Sequence, residues 1–173
     1  MTLRIPASAD ELRREFDESF SRPLQPPQEA GEPFLIASVR GSPIAFHLHG
    51  VKGVERTHSC AALPSTHPHF LGLASLRGGV VPLFDIAGLW GERSLHRRAS
   101  LVVLLDAGGG ETAGVVVDHL EGYRSLASSS LCPSTDSRPP FKGVLPDGSN
   151  GIVWVDAASV VTWLRNTGHG TQS

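Results

Sequence analysis

Apolar residues in this chain come in short bursts. None runs beyond about five residues before a glycine, proline, serine or charge stops it, and 19 Gly and 13 Pro leave little room for long helices. What remains are segments rich in Val, Ile and Leu, namely "FLIASV", "PIAFHLH", "VKGVERT", "LVVLLD", "AGVVVD" and "GIVWVD", of a length and make-up that predict β-strands. In "PIAFHLH" Ile44, Phe46 and Leu48 alternate with Ala45, His47 and His49, so one face turns inward and the other toward water. "RGS" and "DAGGGET" between strands predict hairpin turns, because glycine supplies the positive φ such turns need. Many short strands with few helices suggest small barrels or a sandwich.

Two interruptions have helical character. "DIAGLWG" predicts a short helical turn after a strand, and "DAASVVTWL" a closing helix with Asp156 at its N-cap. Near the start, "SADELRREFDESF" has capping-box spacing at Ser8 and Glu11 and a narrow stripe of Leu12, Phe16 and Phe20. The Pro-rich "SRPLQPPQEAGEP" cannot continue that helix. Residues 1–33 thus read as a helical extension and connector, 34–164 as the globular domain and 165–173 as a disordered tail. A chain of 173 residues suits one domain, or two small lobes, with a core of its own.

Fifteen basic against seventeen acidic residues, net charge −2, make no field that would draw nucleic acid or anionic lipid. No stretch predicts a signal peptide or a membrane-inserted span, and the expected location is the cytoplasm. Cys60 and Cys132 are far apart and predict free thiols.

The eight histidines raise the question of a metal-dependent enzyme, since His47 and His49 share a strand face and His58, Cys60, His67 and His69 lie close in sequence. "CAALPSTHPHF" is nevertheless a Pro-interrupted loop with no C-x-x-C or H-E-x-x-H frame, which favours solvated histidines and no metal or cofactor. Asp85 and Asp118 end apolar strands and read as turn-capping carboxylates, not an acid/base pair. No serine sits in a G-x-S-x-G elbow, so no catalytic residue is expected.

One stretch resists a purely structural reading. "FLGLASLRGGVVPLFDI" sets Arg77 inside an apolar run. Buried alone, its charge would cost several kcal/mol, so it must have a partner or lie at a surface where its fork meets carboxylates or carbonyls. Gly78 and Gly79 let the chain reverse, and Val80, Val81, Leu83 and Phe84 resume the strand.

In their order these segments resemble the CheW-like domain family, over Phe34 to Leu164. "FLIASVRGSPIAFHLHGVKGV" is similar to the family's opening hairpin and third strand. "FLGLASLRGGVVPLFDIAGLWG" resembles its Gly-x-x-Asn-Leu-Arg-Gly-x-x-x-Pro stretch, "LVVLLDAGGGETAGVVVDHLEGYRSL" its next hairpin, and "FKGVLPDGSNGIVWVDAASVV" its last strand and helix. The resemblance implies a mainly β fold of two SH3-like barrel subdomains around a shared core, with an apolar groove between them. It implies a non-catalytic coupling protein that bridges the cytoplasmic tip of a methyl-accepting receptor to the regulatory domain of a CheA-type histidine kinase. Partner contact would then fall to Val51, Gly53, Leu76, Arg77, Gly78, Val81 and Pro82. Gly53 stands where the family carries an acidic residue, and Ser75 where it carries Asn. "ASSSLCPSTDSRPPF" is short, so a variant that binds receptor without kinase is the alternative, and a small metal-dependent enzyme the remote one.

Overall fold

A computed structural model describes residues 31–91, 101–133, 140–148 and 150–168. The segment expected to be helical at 8–20 lies outside the described residues. From Gly31 onward the chain forms one compact unit.

Strands β1 (Glu32–Val39) and β2 (Ser42–His47) form a hairpin and β3 (Val51–Arg56) follows; β4 (Phe70–Leu76) and β5 (Gly79–Asp85) form a second hairpin. After a 3₁₀ turn at Ile86–Trp90 come β6 (Leu101–Gly108), β7 (Glu111–Val117) and β8 (His119–Leu126). A 3₁₀ turn at Ser128–Ser130, the short β9 (Cys132–Pro133), β10 (Phe141–Asp147), β11 (Asn150–Val155) and helix α1 (Ala157–Gly168) complete the described chain. The strands divide into a six-stranded sheet ordered β8-β1-β2-β11-β10-β9 and a five-stranded sheet ordered β3-β6-β7-β5-β4. Each sheet is antiparallel apart from one parallel pair, β2 with β11 in the first and β5 with β7 in the second.

The apolar runs are unbroken because both faces of the central strands are buried. In β1, Phe34 and Ile36 turn toward Ala45, Leu145 and Ile152 on the first sheet's own side. Leu35, Ala37 and Val39 turn the other way, into a core shared with Val103, Leu105, Val115 and Val117 of the second sheet and Val160, Val161 and Leu164 of α1. In β6 the same alternation sends Val102 and Leu104 to a cluster with Leu76, Val81 and Leu83. Period-two geometry thus builds three apolar layers from two sheets. The two subdomains and the shared core expected from the resemblance are both present.

The turns form as their residues dictate. Val39 pairs with Ser42 across Arg40 and Gly41, and Leu76 with Gly79 across Arg77 and Gly78. All four turn residues have positive φ, the signature of the tight hairpin turn whose twist matches the strands. "DIAGLWG" is the 3₁₀ turn capped by Asp85, whose Oδ1 accepts from the Ala87 amide at 2.8 Å. Asp156 caps α1, Oδ1 accepting from the Ser159 amide at 2.6 Å. Order continues past Leu164, where the sequence suggested a tail: α1 runs to Gly168, and Arg165 donates to the Ala107 carbonyl at 3.0 Å. No described helix is long and apolar enough to cross a membrane.

Candidate functional site: the Arg77 corner

Arg77 sits at the tip of the β4–β5 hairpin with φ 52. Its guanidinium is about half exposed, 53% for the side chain, and it is partnered: Nε donates to Glu55 Oε1 at 2.6 Å and Nη1 to the Lys52 carbonyl at 3.0 Å. Both partners lie on β3, at the opposite end of the strand order from β4. A contact between the two ends of one sheet requires the sheet to curl, so the arginine fastens the open seam of a barrel-like subdomain. The charge in the apolar run therefore neither lies buried nor projects freely.

Gly53 makes the contact possible. It has φ 150, and a Cβ there would lie 2.4 Å from Arg77 Nη2 and 3.0 Å from Cζ. The guanidinium rests on the bare backbone of β3 while Glu55, two residues on, supplies the carboxylate. The expected acidic residue is thus absent at position 53, and a carboxylate reaches the arginine from position 55.

Beside this corner lies a hollow of about 560 Å³ lined by Leu76, Arg77, Val80, Val81 and Pro82 and closed by Lys52, Leu104 and Gly110–Thr112. Lys52 Nζ donates to the Glu111 carbonyl at 2.7 Å and pairs with Asp106 at 3.2 Å, which ties β3 to the β6–β7 hairpin. Asp106, hydrogen-bonded by the Gly108 amide and by Lys52, is held below the usual carboxylate pKa. All the walls belong to the second sheet. A separate hollow, lined by His47, His49, Asp106, Asp156 and Arg165 together with Ala107, Ala157 and Val161, mixes charged and apolar side chains and is not the purely apolar groove that the resemblance implies.

Of the residues singled out in the sequence, Leu76, Arg77, Val81 and Pro82 line the hollow; Gly53 lies under the guanidinium, and Val51 and Gly78 lie outside the lining. Leu76 and Val81 are only 6% exposed each and serve the subdomain core. Val80 carries the exposed apolar surface instead, 71% open. Its alternation with buried Val81 was readable in the sequence, because neighbours on a strand face opposite ways. Glu55 was not.

The other candidates separate. Asp85 and Asp118 do meet, through Arg40: its Nη2 pairs with Asp85 Oδ2 at 3.2 Å and its amide donates to Asp118 Oδ2. Among the described residues no three His, Cys, Asp or Glu side chains converge as metal ligands would. Cys60 and Cys132 are free thiols, and burial pushes the Cys60 thiol up. His47 bonds Glu32 Oε2 at 2.7 Å, which holds that carboxyl below its usual range. His67 and His69 depart from the solvated expectation and pack against α1.

Two SH3-like subdomains share a core that also takes in α1, with a partnered arginine and an open valine at one corner, and together they define a mainly β protein. The model of the CheW-like domain matches residues 20–165, and the chain belongs to that family. Chemotaxis protein CheW of Klebsiella aerogenes is 21% identical over 109 residues, spanning 63% of this chain and 66%, just under two thirds, of that protein. The crystal structure of the scaffolding protein TtCheW from Thermoanaerobacter tengcongensis superposes with a TM-score of 0.62 at 18% identity, covering 72% of this chain and 88% of that one.

Proposed function

We propose that this chain is a non-catalytic coupling scaffold in the cytoplasm, joining the tip of a methyl-accepting receptor to the regulatory domain of a CheA-type kinase. The observation that carries the reading is the Arg77 corner, set in a chain whose family includes a chemotaxis protein and a scaffolding protein. An arginine held by Glu55 and the Lys52 carbonyl offers its remaining N–H groups in a fixed orientation beside the exposed Val80. A helical hairpin docks on such a surface by setting an apolar anchor beside a preorganised donor. On this reading Val51, Gly53, Leu76, Gly78, Val81 and Pro82 shape and support the surface, while Arg77 and Val80 touch the partner.

Titration calorimetry with a cognate receptor tip and, separately, with the kinase regulatory domain tests it. Both should bind, and Val80→Asp should weaken the receptor by about tenfold, the loss of one modest anchor of roughly 1.4 kcal/mol. No binding of the receptor tip would reject the proposal. Receptor binding without kinase binding would favour the receptor-only alternative.

A further inference from the structure

The docking surface leaves unused His67 and His69, which lie at the end of the connection from β3 to β4. His67 is held at both ring nitrogens. Nε2 lies 2.7 Å from the Leu164 carbonyl, which can only accept, and Nδ1 lies 3.1 Å from the His69 amide, which can only donate. This pair of bonds specifies one uncharged tautomer, with its hydrogen on Nε2. Leu164 lies in the last turns of α1, and the His67 bond to its carbonyl ties the β3–β4 connector to that end of the helix. His69 completes the grip: its ring stacks on Trp163 with centroids 4.7 Å apart, and Gly88 lies so close that a Cβ would sit 2.0 Å from His69 Cε1. Among the described residues its Nδ1 is buried without a hydrogen-bond partner.

We propose that His67 and His69 form an acid-operated clasp on α1, holding the helix's last turns while uncharged and letting go when a proton is added. A second hydrogen on His67 can go only to Nδ1, where it would point at the His69 N–H and break that bond. A second hydrogen on His69 puts a full charge on a ring packed against Trp163 and Gly88, where burial disfavours it.

Two forces oppose opening. The carbonyl end of α1 attracts positive charge toward His67, and the Trp163 face attracts it toward His69. Against the first stands Arg165, which lines the same small hollow as His67 and already supplies that charge, with Glu111 as its partner at 3.9 Å. Against the second stands burial. The His69 pKa is pulled below its usual 6.5, chiefly by burial and then by His67, while Asp85 from β5 pulls it weakly upward. A base whose pKa is lower folded than unfolded contributes its full stability above about 6.5 and loses it as pH falls. A hollow of about 220 Å³ walled by Phe84, Ala113, Val161 and Leu164 already lies beside His67.

Amide hydrogen exchange on the full chain, corrected for intrinsic rates, tests the clasp. Protection at residues 161–168 should fall several-fold between pH 7.5 and pH 5. His67→Gln combined with His69→Phe, which keeps a donor, an acceptor and a stacking ring but cannot titrate, should hold its protection over that range. Nitrogen chemical shifts of the wild-type His67 ring at pH 7.5 should report hydrogen on Nε2, a reading independent of the variant's folding. Unchanged wild-type protection at pH 5, an equal loss in the variant, or hydrogen on Nδ1 would each overturn the proposal.

Discussion

Arg77 occupies a backbone conformation that an L side chain enters at a cost of roughly 1–2 kcal/mol, whereas an exposed ion pair such as its bond to Glu55 returns only about 0.2–1 kcal/mol. Stability alone would therefore favour glycine at this position. Arg77→Gly should leave the urea midpoint almost unchanged or slightly raised, yet weaken receptor binding in the titration described above. A large loss of stability would instead make the residue purely structural. Gly53→Ala should act in the opposite sense, destabilising by about 1–3 kcal/mol through its positive φ and pushing the guanidinium off the Lys52 carbonyl. The arginine was legible because a lone charge inside an apolar run stands out. Glu55 was not, because nothing in the sequence marks a partner that only the curling of a sheet brings near.

The elements follow the same division. Hairpins and caps were readable because Arg-Gly turns and the Asp85 and Asp156 caps act through neighbours a few residues away. Strand β8, "HLEGYRSL", was not among the segments recognised as strands: it edges the first sheet and is exposed along nearly its whole length, so no apolar alternation marks it. Asp156→Ala should cost about 1 kcal/mol, measured by thermal or urea unfolding, because the Ser159 amide loses its acceptor. Burial raises the Asp156 pKa, but the bonds from Ser159 and Lys142 outweigh it and the net shift is downward from 3.8. The cap is therefore fully effective above about pH 3.8 and fades as pH falls through the lower folded value, so the D156A penalty should shrink in acid. A penalty independent of pH down to pH 2.5 would contradict this sign.

At the scale of the molecule, Arg40 ties the first sheet's opening hairpin to strand ends of the second through Asp85 and Asp118. Its side chain and that of Asp85 are 14% and 11% exposed, so screening is weak. Arg40→Ala should cost roughly 3 kcal/mol by stranding a nearly buried carboxylate. The shared core joins both subdomains and α1, so wild-type unfolding should show a single transition by fluorescence and circular dichroism alike, and two separated transitions would refute that coupling. The sequence order of the segments carried the family resemblance, but not the meeting of Asp85 and Asp118, which depends on β5 and β7 lying side by side as a parallel pair.

The first sheet is assembled from strands on both sides of the second in the chain, β1 and β2 before it and β8 to β11 after it. During translation the second sheet has all its strands once residue 117 has left the ribosome, while the first must wait for residue 155. The middle of the polypeptide thus has the earlier opportunity to fold, and the opening hairpin waits on it, exposed to chaperones, until its late partners emerge.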